Sequence, residues 1–429
     1  MEATREAGLV RAIRPFDFIA LIINITIGAG ILGLPAKIYT LVGTYSLLAY
    51  AVSAAVVTLI ILCFAEVSSR FSGTGGPYLY TRAAFGPLVG FEVGWLFWVS
   101  RIASFASICN LFVSYAAFFW PAVGEGWGRI AVITALVGIL AAINYIGVQQ
   151  SARVSNVFTI SKVLAIGSFA VVGLFYMDAN AFTFPQTPGY PAFSQSVLLL
   201  IFTFSGFDVA AIPSGEVQQP QRTVPIALLI AIGTVAVLFI AVQLVCIGTL
   251  PNLASSERPL ADAAQRFLGP AGGLAVAVAA LVTALGTLHA LMLTGPRLLF
   301  AMAEQGQVPS FLATVHPRFK TPHTAILLTA ALKLALAVSG TFIYALTLST
   351  IIRLSYFALI CAALPILRRR TDLDRATFIV PAGWVIAILA AGLCVWLLAN
   401  SSWREARDVG VAAVIGFVLY GLMQTKLVR

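Results

Sequence analysis

The chain has 429 residues, of which 60% are hydrophobic and 10% charged, and its mean hydropathy is +0.97. These values exclude a soluble globular protein and indicate an integral membrane protein. The formal charge of +10 is not a nucleic-acid signal, because Lys and Arg cluster in loops on one side of the apolar segments, as in Arg368-Arg369-Arg370 and Arg318-Phe319-Lys320. The positive-inside rule assigns those loops to the cytoplasm. We therefore expect a multi-pass protein of the cell membrane, with both termini cytoplasmic and no nucleic-acid partner.

Twelve apolar runs follow one another along the chain, and at roughly 17 to 35 residues each they suit membrane-spanning helices. They cover residues 16–41, 44–69, 85–119, 130–148, 155–177, 193–214, 224–248, 271–303, 323–338, 341–366, 377–399 and 408–425.

The order of these segments predicts a repeat. Segments one to five (16–177) overlay segments six to ten (193–366) so that a break falls in the first segment of each half. Because five is odd, the halves must cross the bilayer in opposite orientations, as inverted repeats do. Residues 1–15 are then a cytoplasmic segment, and 377–425 form two additional helices. We expect an all-α membrane protein with about 12 transmembrane helices, a 5+5 inverted repeat and broken helices 1 and 6, as a monomer or a homodimer.

The first break is Gly28-Ala29-Gly30-Ile31. Unpaired backbone groups are costly in hydrocarbon, so an unwound chain there must line a cavity where a ligand or another helix supplies partners. The helix that restarts near Ile31 presents free N–H groups suited to a carboxylate. The run to Gly33 also matches the dinucleotide pattern GxGxxG, but no strand precedes it, which argues against a Rossmann site. Close helix packing is the plainer alternative for these glycines.

The second break is Ser205-Gly206-Phe207-Asp208. The helix that ends near Phe202 to Phe204 exposes carbonyl groups whose partial negative charge suits an ammonium group. Together the two breaks complement a zwitterion such as an α-amino acid, whereas an amine lacks the carboxylate that would use the first break. Phe202 and Phe207 can close over a ligand, although apolar aromatics in a span also serve as packing residues.

Two ionisable residues in apolar segments are candidates for coupling or gating. Asp208 is either the N-cap of the helix that restarts after the second break or a group that responds to protons and holds a gate. Lys162 lies about seven residues, roughly 10 Å, into segment five. It either snorkels to the cytoplasmic surface or stands near the first break, where it exchanges a proton or replaces a bound cation.

Arg101 and Arg353 lie too deep in their segments for easy snorkelling, so each needs a partner. Asp208, Glu92 and Glu66 are the candidate partners. A structural ion pair is favoured for Arg353, whereas Arg101, on a segment that should flank the cavity, is open to substrate contact as well.

Catalytic and metal-binding motifs are missing from the sequence: we find no HExxH and no GxSxG. The five cysteines all fall in apolar runs without CxxC spacing, so they indicate neither a disulfide nor a metal site. We therefore predict no enzyme, no cofactor and no metal.

Several motifs, taken together and in order, resemble the amino acid, polyamine and organocation (APC) superfamily of transporters, in particular the bacterial-type amino acid permeases with a LeuT-type fold. The resemblance covers about residues 15 to 370. It rests on Gly28-Ala29-Gly30-Ile31, Phe204-Ser205-Gly206-Phe207-Asp208, Gly215-Glu216-Val217-Gln218-Gln219-Pro220-Gln221-Arg222-Thr223-Val224-Pro225 and Pro296-Arg297-Leu298-Leu299-Phe300-Ala301-Met302-Ala303.

The resemblance implies twelve spans, alternating access, a substrate carboxylate on the first break and its amine near the second. It also implies that Lys162 occupies the place of a sodium ion, which favours proton coupling or exchange, and that Asp208 is similar to a gating acid. Arg101 departs from the small or polar residue found opposite the substrate in several members. The resulting substrate-binding set is Thr26, Ile27, Gly28, Ala29, Gly30, Ile31, Arg101, Phe202, Phe204, Ser205, Gly206 and Phe207, with Lys162 and Asp208 for coupling or gating.

The expected function is secondary active transport of amino acids, sodium-independent and either proton-coupled or exchanging. Coulomb repulsion from four cations within the spans disfavours a cationic substrate, so neutral or acidic amino acids are favoured. The partners are then a small amino acid, protons and the lipid bilayer. The alternatives are an amine or polyamine transporter of the same fold, or a transporter-like substrate receptor.

Overall fold

The computed structural model describes residues 13–71, 75–147, 152–184, 187–210 and 217–427, without the side chains of 152–161, 210 and 425–427. Most of the predicted N-terminal segment and part of the motif that begins at Gly215 lie outside the described residues. The helices are α1 (Pro15–Thr26), α2 (Ala29–Val42), α3 (Ser46–Ser68), α4 (Pro77–Phe85), α5 (Pro87–Ala116), α6 (Gly126–Ile146), α7 (Ala152–Leu174), α8 (Tyr190–Phe204), α9 (Phe207–Ala210), α10 (Pro220–Thr249), α11 (Pro259–Glu304), α12 (His323–Ser339), α13 (Phe342–Arg369), α14 (Gly383–Ala399) and α15 (Trp403–Leu427).

In the described ranges the regular secondary structure is helical, apart from one isolated parallel bridge between Ile13 and Val217. Every predicted apolar segment coincides with a helix, and the first and sixth segments coincide with helix pairs, α1 with α2 and α8 with α9. Eight helical stretches in the described ranges are long and apolar enough to cross a membrane, and further apolar helices, among them α12 and α14, are shorter. The chain is thus an all-α integral membrane protein.

Proline and glycine account for the ends and bends of several helices. Proline occupies the first turn of α1, α5, α8, α10 and α11, where its missing N–H leaves no helical bond unmade. Within α11, Gly269 adopts a left-handed φ of 73° and Pro270 follows it, which separates a short first arm from the long apolar arm. The long arm begins where the eighth apolar segment was predicted to begin.

Proline inside a membrane helix frees a carbonyl group, and other helices replace the lost donor. Pro296 in α11 has no N–H for the Met292 carbonyl, and the Asn144 side-chain amide of α6 donates to that carbonyl at 2.7 Å. The Lys333 ammonium of α12 donates to the neighbouring Leu291 carbonyl at 2.7 Å. These bonds fasten α6 and α12 to α11 one turn before Pro296.

The helix α5 is the centre of the bundle. It contacts α4, α11, α12, α13 and α15, and 89% of its most apolar window is buried inside the protein, against 11% for that of α15. The two helix pairs lie beside this centre, with α1 packed on α9 and α10, and α2 packed on α8 and α11. This arrangement brings the two helix breaks to the same place.

Candidate substrate-binding site

The first break is present where the sequence predicts it. The helix α1 ends at Thr26, Ile27 has a ψ of 86°, and Gly28 is extended with φ −124° and ψ −151°. The helix α2 starts at Ala29 without a side-chain cap. The first N–H groups of a helix have no intrahelical acceptor, so the amides that open α2 are available to a negatively charged group.

The second break separates α8 from α9 at Ser205 and Gly206. Ser205 is extended, with φ −82° and ψ 158°, and Gly206 has a φ of 133°, a conformation that favours glycine. The Ser205 N–H donates to the Phe202 carbonyl at 3.1 Å, and the Ser205 hydroxyl donates to the Ile201 carbonyl. The last carbonyls of α8, those of Thr203 and Phe204, are left beyond the reach of intrahelical donors. The sequence predicted that carbonyl groups near the end of α8 accept an amine, and the structure leaves those of Thr203 and Phe204 as the candidates.

The two breaks touch each other. A Cβ built on Gly30 would lie 2.7 Å from the Thr203 Cα, and one built on Gly206 would lie 3.0 Å from the Ile25 carbonyl oxygen. Close backbone approach therefore requires glycine at both positions, and at Gly206 the positive φ favours glycine as well. The amides of α2 and the carbonyls of α8 meet in one buried region, with partial charges of opposite sign.

Asp208 directly follows the second break and accepts four hydrogen bonds. Its Oδ2 accepts from Arg101 Nη2 at 2.8 Å and from the Tyr356 hydroxyl at 2.6 Å. Its Oδ1 accepts from Arg353 Nη1 at 3.1 Å and from the Gly206 N–H at 3.0 Å. The carboxylate is wholly buried, so these donors replace water and join α5, α9 and α13.

Three sequence-based expectations about charge partners are settled by these contacts. Asp208, one of the three candidate partners, pairs with both Arg101 and Arg353. Glu66 was wrong as their partner, because its carboxylate binds Arg368 through two bonds of 2.6 Å near the C-terminal end of α13. Glu92 was also wrong, because neither of its oxygens has a hydrogen-bond partner among the described residues.

The N-cap interpretation of Asp208 is wrong as well. Asp208 is the second residue of α9, and it accepts from Gly206 behind it, so the side chain closes the turn of the break.

Sequence reasoning missed three members of this cluster. Ser349 accepts from Arg353 Nε at 3.3 Å, Ser104 accepts from Arg353 Nη2 at 3.2 Å, and Tyr356 binds Asp208. Helical spacing carried a signal for two of them, because Ser349 and Tyr356 lie four residues before and three residues after Arg353 and so share its face. Ser104 is three residues from Arg101 on α5.

The predicted aromatic residues have different surroundings. Phe204 packs edge-on against Tyr50 and near Phe239, within the helix core. Phe207 stacks on Phe357 with ring centres 5.2 Å apart. Phe202 instead faces the charged cluster, with its ring centre 5.9 Å from the Arg353 guanidinium carbon. Of the three rings, Phe202 is the one placed beside charge.

Lys162 is buried in α7, and its ammonium donates to the Thr287 hydroxyl of α11 at 3.1 Å. Thr287 in turn donates to the Thr283 carbonyl, so the group that accepts the hydrogen bond from Lys162 is a neutral hydroxyl. This geometry contradicts snorkelling to the cytoplasmic surface, because the side chain is 4% exposed and points to a neighbouring helix.

Most of the predicted site residues fall at or beside the two breaks. The first break is formed by Thr26, Ile27, Gly28, Ala29, Gly30 and Ile31, and the second is surrounded by Phe202, Phe204, Ser205, Gly206, Phe207 and Asp208. Arg101 reaches the second break from α5 through Asp208, whereas Lys162 on α7 binds Thr287 of α11. Uncapped amides, free carbonyls and a buried charged cluster can bind a small charged molecule.

Apolar helices with two apposed breaks define a multi-pass membrane protein of the transporter class. The chain belongs to the amino acid permease family, whose model matches residues 13–423. It is 28% identical to the methylthioribose transporter of Bacillus subtilis, over 99% of this chain and 95% of that protein. It is also 28% identical to the branched-chain amino acid permease BcaP of the same organism, over 98% and 94%, and 27% identical to its serine/threonine exchanger SteT, over 99% of both. These names describe transporters rather than enzymes.

Proposed function

We propose that this protein is a secondary active transporter of amino acids that works by alternating access across the cell membrane, with both termini in the cytoplasm. Twelve spans, arranged as a 5+5 inverted repeat with two additional helices, carry the transport path. Transport is independent of sodium and is either proton-coupled or an exchange. The observation that carries the proposal is the contact between the two helix breaks, where free amides and free carbonyls meet in a buried region.

The substrate α-carboxylate binds the amides that open α2, because a helix N-terminus offers N–H groups and a partial positive charge. The substrate ammonium binds the carbonyls of Thr203 and Phe204, and Phe202 closes over the ligand. The breaks are hinges at which α1 and α8 can tilt against α2 and α9, so that the site opens to one side at a time.

Lys162 and Asp208 are the coupling and gating residues in this proposal. The Lys162 ammonium holds α7 to α11 through Thr287. Asp208 holds α5 and α13 to the second break through Arg101 and Arg353. Loss of either contact loosens the helices that it joins. A proton bound by Asp208, a proton lost by Lys162, or a substrate that competes for either contact therefore promotes opening.

The test is uptake of a panel of labelled amino acids by the purified protein in liposomes, in sodium-free buffer, with and without an inward proton gradient. Saturable uptake supports amino acid transport. Accumulation driven by the gradient identifies proton symport, whereas uptake only into amino-acid-loaded vesicles identifies exchange. Competition by decarboxylated analogues equal to that of the parent amino acids would contradict the carboxylate site and favour an amine carrier. Binding without uptake would favour a receptor.

A further inference from the structure

The buried cluster at the second break contains more positive than negative charge. Arg101 and Arg353 lie 2.8 and 3.1 Å from the single carboxylate of Asp208, and all three side chains are at most 5% exposed. Two guanidinium groups and one carboxylate leave a formal excess of one positive charge. A buried charge without a counter-charge is strongly unfavourable, so a further anion is expected at this place.

Among the described residues, the other buried ionisable groups do not supply that anion. Lys333 and Lys162 add positive charge, and their ammonium groups bind the neutral Leu291 carbonyl and Thr287 hydroxyl. Glu66 is held by Arg368. Glu92 precedes Arg101 by nine residues on α5, which is roughly 13 Å along the helix axis.

The two arginines differ in how fully their donors are used. Each nitrogen of Arg353 has an acceptor, since Nε binds Ser349, Nη1 binds Asp208 and Nη2 binds Ser104. Arg101 binds Asp208 through Nη2, but its buried Nε has no hydrogen-bond partner among the described residues. Arg101 is therefore the group with an open donor, and a guanidinium suits a carboxylate.

The position of Arg101 connects it to the proposed substrate. Its Nη2 binds Asp208, and Asp208 accepts from the Gly206 N–H, so two hydrogen bonds link Arg101 to the second break. In the proposed function, the amides of α2 already take the α-carboxylate. The ligand of the unpaired Arg101 Nε is then a second anionic group, distinct from the α-carboxylate.

We infer that the transported substrate is an acidic amino acid, whose side-chain carboxylate binds Arg101 and neutralises the excess charge of the Arg101–Asp208–Arg353 cluster. The inference rests on the proposed function, because it takes the site at the two breaks as the transport site. Arg101 is then the residue that distinguishes a side-chain carboxylate from its uncharged amide.

The wild-type protein in liposomes gives the first test, by uptake of labelled aspartate and glutamate against asparagine and glutamine, which have nearly the same shape. A charge-assisted bond of this kind predicts a preference of about 10- to 100-fold for the acids. Equal or better uptake of the amides overturns the acidic substrate but leaves amino acid transport standing. Absence of uptake for every amino acid overturns both.

The variant Arg101→Gln is expected to abolish the preference for the acids, and Arg101→Lys to retain part of it. Arg369→Gln, at an exposed position outside the cluster, is the matched control and should keep the wild-type ratio. An unchanged ratio in Arg101→Gln overturns the assignment. Because that variant can fail to fold, the wild-type ratio remains an independent test.

A chloride ion is the competing source of negative charge. Uptake measured after chloride is replaced by sulfate on both sides of the liposome membrane distinguishes a bound chloride ion from the substrate carboxylate. Uptake of acidic amino acids that persists without chloride supports the inference, whereas uptake of neutral amino acids that requires chloride overturns it.

Discussion

Gly30 and Thr203 join the two broken helices at their closest point. A Cβ built on Gly30 would lie 2.5 Å from Thr203 Oγ1 and 2.7 Å from its Cα, distances at which backbone has to move. The N-terminus of α2 and the C-terminus of α8 are thereby held together. Groups of opposite partial charge meet at one site because residue 30 has no side chain.

Replacing Gly30 with Val is expected to abolish transport while the protein still inserts into the membrane, because a side chain there forces the two breaks apart. Uptake in liposomes, together with the amount of protein recovered from membranes, measures this. Gly138→Val is the matched control, since Gly138 is exposed on α6 and a Cβ there would contact nothing within 4 Å. Normal uptake by the Gly30 variant would contradict the unwound site.

Replacing Asp208 with Asn should lower stability much more than replacing Tyr356 with Phe. The Asn variant leaves two buried guanidinium groups without a counter-charge, which typically costs about 3–5 kcal/mol. The Phe variant removes one of four donors to the carboxylate, at about 1 kcal/mol. Thermal unfolding of both proteins in detergent gives the comparison, and equal losses would mean that the carboxylate charge is unimportant to the fold.

The Arg368 side chain is expected to stabilise the end of the bundle where α13 meets α3. Its two bonds to the buried Glu66 are 2.6 Å long, so Arg368→Ala leaves that carboxylate with the Val380 N–H as its remaining partner. The expected loss is about 1–3 kcal/mol in the free energy of unfolding. Arg369→Ala, at the adjacent exposed position, should change stability little. Similar losses in the two variants would show that the ion pair contributes nothing specific.

Lys162→Ala should remove the pH dependence of transport or uncouple it, since the variant has no ammonium to bridge α7 and α11. Thr287→Val removes only the acceptor and should weaken transport with the pH profile retained. Uptake measured across a pH series distinguishes the two. The loop variant Lys320→Ala serves as a control, and a wild-type profile in Lys162→Ala would show that this lysine has no part in coupling.

Local sequence was sufficient for the elements of this fold. Long apolar runs form helices in a membrane because hydrocarbon offers backbone groups no other partners, so the twelve segments coincide with helices. The first break falls at Gly28 and the second at Gly206, and at Gly206 the lack of a side chain permits a φ of 133°. The place of each break was therefore predictable from a few adjacent residues.

Which charges meet was decided by tertiary structure. The sequence analysis left three carboxylates as candidate partners of Arg101 and Arg353. The packing of α5, α9 and α13 places Asp208 in contact with both arginines. Helix packing likewise paired Glu66 of α3 with Arg368 of α13, and Lys162 of α7 with Thr287 of α11. Electrostatic and hydrogen-bonding energies fall steeply with distance, and distances between residues over 100 positions apart depend on how helices dock, which local pattern does not encode. The excess positive charge at the second break became visible only once those partners were assigned.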